Sequence, residues 1–327
     1  MAPHFTVLGA GVMGLCVTAE LLDRGAQVTL VDPAGAPGPQ ACSWWAGGML
    51  APFCEGETAE EPVVRLGQQA AAWWRRQGAQ VTSEGSLVLA LGRDQGDLDR
   101  FARRTELHTM LDRDQIDQLE PQLDGRFTRG LYFASEAHLT PRAALSTLYD
   151  RIISAGVLWH EKEPKQPGTV LDCRGFAAKD QLPDLRGVKG EMAVLYCSDI
   201  VLTRPVRLLH PRIPLYIVPR GDGVYMLGAT QIEASTIRRA SVRSVLELLT
   251  AAYALHPAFG EAELLEIGVD ARPAFADNLP RIRRRGSTVY LNGLFRHGFL
   301  LAPAMARMAA DLVLEGTVPE VMDEDLG

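Results

Sequence analysis

Apolar positions change their period several times along the chain, and each change marks an element. Phe5, Val7 and Leu8 make a short apolar run that leads into Gly9-Ala10-Gly11-Val12-Met13-Gly14. Apolar residues then recur at helical spacing over 12–24 until Gly25, and a second apolar run over 28–31 closes on Asp32. Strand, glycine turn, helix, strand and acid is the order that binds a dinucleotide. Gly9 allows the tight turn, Gly11 lets the backbone approach a pyrophosphate, and Gly14 lets the helix pack close to the strand. Amides at the start of that helix, around Val12 and Met13, sit at the positive end of the helix dipole and face the anion. Asp32 follows the glycines by about 20 residues, where an acid accepts hydrogen bonds from a ribose hydroxyl and repels a 2′-phosphate.

Further along, the pattern predicts a helix over 61–77, with Trp73-Trp74 packed near its end, and strands over 85–91 and 130–133 separated by a charged helical stretch over 94–118. A helix over 141–156 opens with Thr140 as N-cap and Pro141 in the first position. The run over 169–175 reads as a strand ending in a glycine turn, which returns the chain to the first sheet. Short β runs then follow at 191–196, 206–209, 215–218 and 224–229, the last two joined by Gly221-Asp222-Gly223 as a hairpin turn. A helix over 240–255, a strand over 287–291 and a C-terminal helix complete the series. An antiparallel block thus interrupts an α/β chain, and two interleaved domains are expected. Residues 1–78, 137–189 and 263–327 form a Rossmann-like dinucleotide domain, and residues 79–136 and 190–262 form an antiparallel β-sheet substrate domain.

Composition narrows the function. At 327 residues the chain buries a large core, and its net charge of −7 comes from interspersed acids and bases. There is no extended basic face for a nucleic acid and no membrane-binding stripe, which leaves a small-molecule enzyme. The sequence contains no uncharged apolar stretch of about 18 residues and no positively charged leader before the first strand, so a cytoplasmic protein is expected. Cys16, Cys42, Cys54, Cys173 and Cys197 are scattered without a CxxC pair and read as reduced thiols. Cys16 and Cys173 suit packing, whereas Cys42 and Cys54 flank the loop after the dinucleotide motif, within reach of a ligand. The histidines show no HxH or HExxH spacing, and no metal site is expected.

Three segments carry candidate chemistry. The run from Ala41 through Ser43-Trp44-Trp45-Ala46-Gly47-Gly48-Met49 to Pro52 is too apolar and glycine-rich for a surface linker. It reads either as a second cofactor contact, with the Ser43 hydroxyl at a helix start, or as a buried turn holding two tryptophans. The segment 292–303 places glycines, a cation and a helix start directly after a strand. That arrangement suits either the N1–C2=O edge of a flavin, whose negative charge on reduction the dipole favours, or a plain crossover. Arg272, before Pro273, is either a guanidinium clamp on a substrate carboxylate or an ion pair with Asp270 or Asp277, and spacing alone favours the ion pair. Arg281, Arg283, Arg284 and Arg285 read as a solvated turn.

Taken in order, four motifs make the chain resemble the FAD-dependent D-amino acid oxidase superfamily, and most closely the glycine oxidases of thiamine biosynthesis. They are Gly9 to Gly14, Ser43 to Pro52, Tyr216-Ile217-Val218-Pro219-Arg220 with Gly228-Ala229-Thr230, and Arg272-Pro273 followed by Phe295-Arg296-His297-Gly298-Phe299-Leu300-Leu301-Ala302-Pro303. The resemblance implies non-covalent FAD and oxidation of glycine to its imine by hydride transfer, with O2 reduced to hydrogen peroxide. It also implies release of glyoxylate and ammonia or supply of the imine to thiazole formation, a functional link to thiazole synthase, and a homo-oligomer. It assigns substrate contacts to Arg272, Tyr216, Arg296 and Met49, with no general base. Flavin contacts fall to Gly9, Gly11, Val12, Met13, Gly14, Asp32, Ser43, Ala46, Gly47, Gly48, Met49, Cys173, Gly175, Arg296, His297, Gly298, Phe299, Leu300 and Leu301. The chain departs from the family at Asp32, where glutamate is usual, at Gln231, where a related enzyme carries methionine, and at Trp45 and His297. Other readings are a flavin oxidase or dehydrogenase of another small amine, such as a D-amino acid or sarcosine, and a non-catalytic flavin-binding protein.

Overall fold

The computed structural model describes residues 2–164, 168–209, 215–234 and 239–323. Its first sheet has seven strands in the order Met322–Asp323, Arg281–Arg285, Thr288–Asn292, Thr169–Asp172, His4–Leu8, Gln27–Val31 and Leu158–His160. The five strands from Thr288–Asn292 to Leu158–His160 run parallel, so their carboxyl ends open on one side. The helix Val12–Asp23 packs against Gly298–Glu315 and Pro141–Ser154, and its buried face joins the sheet in one apolar core. Gly25, at φ 77°, takes the left-handed conformation that ends the first helix.

A second sheet of nine strands carries the antiparallel block. Its long strands Arg186–Tyr196 and Glu263–Ala274 pair along their whole length, and Val206–Leu209, Leu215–Gly221 and Val224–Gly228 follow as a meander. The helix Val242–Leu255, capped by the Ser241 hydroxyl, covers one face and closes a second core. A small three-stranded sheet of Met49–Leu50, Ala137–Leu139 and Val81–Thr82 completes the architecture.

Several expectations need correction. The stretch over 94–118 is two helices, Gln95–Arg104 and Arg113–Leu119, separated by the strand Thr109–Asp112. Leu107 at φ 57° breaks the run, and the Asp112–Gln115 capping box restarts it. The helix over 61–77 is split into Glu61–Gly67 and Ala70–Arg76, although Trp73 and Trp74 pack edge to face in the core. Thr140 precedes Pro141–Ser154 without a side-chain cap bond. Arg281–Arg285 is a strand rather than a solvated turn: Arg284 is exposed, but Arg281 pairs with Asp277, and buried Arg283 binds both oxygens of Asp184, at 2.7 and 2.6 Å, and Asp323 at 2.7 Å. Glu263–Ala274 escaped the pattern altogether. It belongs to the nine-stranded sheet, not to the parallel sheet that the expected partition assigns to residues 263–327.

Candidate active site

The parallel strands end at one cleft of about 1230 Å³, lined by Gly9, Asp32, Cys173 and Asn292 from the first sheet and by Gly190, Met192, Arg207, Tyr216, Asp270 and Arg272 from the second. A crevice outside the carboxyl ends of parallel strands is where such sheets bind ligands. At Gly14 an added Cβ would lie 1.8 Å from the Gly9 carbonyl oxygen, so the helix start sits hard against the turn. The first ladder bond of that helix runs from Leu15 N to Gly11 O, which leaves the amides of Val12, Met13 and Gly14 ahead of the ladder. Ser43 does not cap its own short helix, Cys42–Trp45; its Oγ accepts from Val12 N at 3.3 Å, tying the second loop to the first. Asp32 accepts from Ala10 N at 2.8 Å and Ala34 N at 2.9 Å, one amide per oxygen. Each oxygen keeps a lone pair for a ligand hydroxyl.

The loop over Ser43, Trp45, Ala46, Gly47, Gly48 and Met49 lines the cleft, while Trp44 packs against the core. Of its two tryptophans, both half-buried, only Trp44 packs against the core, so the loop is not a buried turn holding the pair. Gly48 is at φ 72°, and a Cβ there would lie 2.2 Å from the Leu139 carbonyl oxygen. Arg220 anchors this loop by donating to Leu139 O at 2.9 Å, Gly47 O at 2.8 Å and Ala46 O at 3.3 Å. Burial pulls its guanidinium down to about 10. Burial, with Arg220 nearby, lowers the His138 imidazole to about 4.

A second helix start enters the cleft at Gly298, Phe299 and Leu300. The ladder of Gly298–Glu315 begins with Leu301 N donating to His297 O at 2.8 Å, so those three amides stay ahead of it. Leu301 itself is a correction: its amide is spent and its side chain lies in the core, off the cleft. Gly14 likewise supports the turn without lining the cleft, whereas Cys173 and Gly175 do line it. Cys42 lines it too, with burial pushing its thiol up to about 12, and Cys54 does not.

Arg272 lies in the cleft wall and makes no ion pair within 4.0 Å among the described residues; Asp277, the second partner considered, pairs with Arg281. Its Nη2 donates to the Thr230 carbonyl at 3.0 Å, and burial lowers its pKa, so its charge is undercompensated. Neighbouring Asp270 is raised to about 6 by burial. Tyr216 projects from Leu215–Gly221 into the narrow space that Gly47 and Gly228 leave open; a Cβ on either glycine would lie 2.7 or 2.5 Å from its ring or hydroxyl. Burial raises its phenol.

Opposite Tyr216 in register is Arg207, which no sequence motif singled out. It donates Nη2 to Glu55 Oε1 at 2.8 Å, while Arg296 Nη2 meets Glu55 Oε2 at 2.8 Å and His297 Nε2 lies 2.9 Å from that same oxygen. Burial alone would raise the Glu55 carboxyl, but Arg296, Arg207 and His297 together hold it well below the usual carboxylate range. The only sequence signal for Arg207 is a cation inside the apolar strand Val206–Leu209. For Glu55, which ends the short helix Pro52–Glu55, there was none. No group of three His, Cys, Asp or Glu among the described residues is placed to hold a metal ion.

A dinucleotide crevice at a parallel sheet, walled by an antiparallel sheet that carries half-buried arginines, defines an oxidoreductase that places a substrate against a flavin. The chain belongs to the family described as DAO, FAD dependent oxidoreductase, which matches residues 4–312. It is 50% identical over 322 residues to a Rhizobium etli protein provisionally named thiamine biosynthesis oxidoreductase ThiO, covering 96% of this chain and 98% of that one. It is 27% identical over 350 residues to the glycine oxidase of Geobacillus kaustophilus, covering 94% and 92%. The crystal structure of glycine oxidase from that organism superposes with a TM-score of 0.81 at 22% identity, covering 98% of this chain and 97% of that one. Iminodiacetate oxidase from Chelativorans sp. BNC1 superposes with a TM-score of 0.79 at 22% identity over 97% and 96%.

The residues present fit FAD. Two sets of helix-start amides face the same cleft, Asp32 retains lone pairs toward it, and its volume exceeds the roughly 300–1,000 Å³ of ordinary small-molecule sites. At the first helix start the cleft-lining amides of Gly11 and Met13 suit a diphosphate, the Val12 amide being taken by Ser43, and those at Gly298, Phe299 and Leu300 suit the anionic edge of a reduced isoalloxazine.

Proposed function

We propose that the protein oxidises glycine to its imine with O2 as the final acceptor, forming hydrogen peroxide, and that the imine feeds thiazole formation in thiamine biosynthesis. Arg272 carries this reading: a half-buried guanidinium in the cleft wall without a protein counter-ion within 4.0 Å among the described residues suits a substrate carboxylate. The extensive similarity to the Rhizobium protein supports the thiamine context, and the relatives named glycine oxidase support the substrate. FAD, when bound, supplies the two-electron acceptor that O2 regenerates.

The chain's own task is then alignment and charge placement. Arg272 holds the carboxylate through its planar fork, Tyr216 orients it, Met49 borders the reacting end and Arg296 stands near the entrance. The amine must be neutral as the C–N bond gains double-bond character. Glu55, saturated by its three partners, is not poised as a base at the α-carbon. Gln231 lines the cleft beside the turn that holds Arg272, and it favours a second reading in which an amino acid with a polar substituent is preferred. The relative named iminodiacetate oxidase fits that reading.

The deciding experiment is an absorbance spectrum of the purified protein followed by anaerobic addition of glycine. Bleaching of the flavin band, reversed by air with peroxide release, is the expected result. A flavin band that glycine leaves untouched but iminodiacetate bleaches would transfer the assignment to the second reading.

A further inference from the structure

The Thr230 carbonyl that receives Arg272 Nη2 is itself held at three points by one residue. Thr230 N donates to Glu191 O at 3.2 Å, its Oγ1 accepts from Glu191 N at 2.9 Å, and the same hydroxyl lies 3.3 Å from Glu191 Oε2. Glu191 is completely buried, and its other oxygen takes Lys189 Nζ at 2.5 Å and Ser241 N at 3.1 Å. One carboxylate therefore ties together the strand Arg186–Tyr196, the turn carrying Thr230 and the cap of Val242–Leu255.

Strand periodicity explains the arrangement. Side chains alternate faces, so Lys189 and Glu191 share the side away from the cleft and Gly190 between them faces it. A Cβ on Gly190 would lie 1.9 Å from Arg272 Nη2, so the guanidinium lies flat on the strand at that point. Neither Lys189 nor Glu191 lines the cleft, and a buried ion pair adds little net stability over an apolar pair of similar size. The pair needs a reason beyond holding the fold together.

We propose that Glu191, neutralised by Lys189 and acting through Thr230, is a positioning residue that fixes the guanidinium of Arg272 toward the substrate carboxylate. The inference rests on the reading of Arg272 as carboxylate ligand. It applies to any amino acid substrate and concerns binding more than the chemical step. A free Thr230 carbonyl would let the guanidinium tilt, and a fork held a few tenths of an ångström off loses its bidentate fit.

The test compares wild type with Thr230→Val, Thr230→Ser and Glu191→Gln, all loaded with FAD. Glycine kinetics are measured alongside the Kd of radiolabelled acetate by equilibrium dialysis, acetate being a carboxylate without an amine. Thr230→Val and Glu191→Gln are expected to raise KM and the acetate Kd about tenfold, with kcat within about twofold and FAD content unchanged. Thr230→Ser, which keeps the hydroxyl, should return both constants to near the wild-type values. Unchanged KM and Kd in Thr230→Val overturn the proposal; should that variant fail to fold, Glu191→Gln decides by the same numbers. Loss of FAD from both would also overturn it, because Glu191 would then serve the fold as a whole. A wild type that ignores glycine yet binds acetate, with Thr230→Val weakening that binding, would remove the substrate assignment and leave this inference standing.

Discussion

Arg272 shows how little a residue's spacing says about its role. Two acids lay within reach in sequence, yet Asp277 is taken by Arg281 and Asp270 spends Oδ1 on the Ala271 amide at 2.6 Å. Strand pairing, not sequence proximity, directs the guanidinium into the cleft, across from Val188 and over Gly190. Arg272→Ala should therefore raise KM for glycine strongly while FAD stays bound. A charge-assisted bidentate contact in a buried site is worth about 2–4 kcal/mol, or roughly 30- to 1,000-fold. Steady-state peroxide assays with flavin content measured in parallel check this, and a KM change below about threefold would return Arg272 to a structural role. Glu55 and Arg207 were invisible in the sequence because an acid at the end of a short helix and a cation in an apolar strand have meaning only once Arg296 and His297 arrive from the far end of the chain.

Among elements, the loop from Ser43 to Met49 depends most on others for its shape. Its backbone carbonyls at Ala46 and Gly47 are satisfied by Arg220 from the strand Leu215–Gly221, and Ser43 is fastened to the first helix by Val12 N. The motif containing Arg220 was recognisable, but its function as a loop anchor was not, since three carbonyl acceptors leave no trace in side-chain chemistry. Arg220→Met keeps most of the volume and leaves those carbonyls without donors. The variant should lose about 2–4 kcal/mol of stability and a large share of its FAD. Thermal unfolding and flavin-to-protein absorbance ratios measure the two effects, and a variant matching wild type in both would mean that water replaces the guanidinium. The strand Arg281–Arg285 makes the complementary point, because consecutive arginines read as surface until Asp184 and Asp323 are brought to them.

For the whole molecule, the cleft joins two sheets, and the charges stranded in its walls set a dependence on pH. Asp270 has its pKa raised by burial from an ordinary 3.8 to about 6. Between those values the unfolded chain ionises this carboxyl before the folded one does, so folding loses stability as pH climbs through the interval and carries the full cost above it. The shift corresponds to about 3 kcal/mol, reduced to roughly 1–2 kcal/mol in a substitution because Arg272 loses a neighbouring charge. Asp270→Asn should accordingly have a higher Tm than wild type at pH 8, with the gap closing at pH 4. Equal gaps at the two pH values would show that ionisation of Asp270 is not their source.

The dinucleotide half was legible from sequence because its signals are local. The glycine turn, the helix after it, the strand closing on Asp32 and the helix opening at Gly298 each depend on residues within a turn or two of one another. The antiparallel meander was legible for the same reason, through alternation and the turn at Gly221-Asp222-Gly223. What only the tertiary structure decided is long-range: the pairing of Glu263–Ala274 with Arg186–Tyr196, the four-residue cluster around Glu55, and the Thr230 carbonyl that holds Arg272. Period and composition specify which face of an element is apolar. They do not specify which distant polar groups will meet when those faces are buried together.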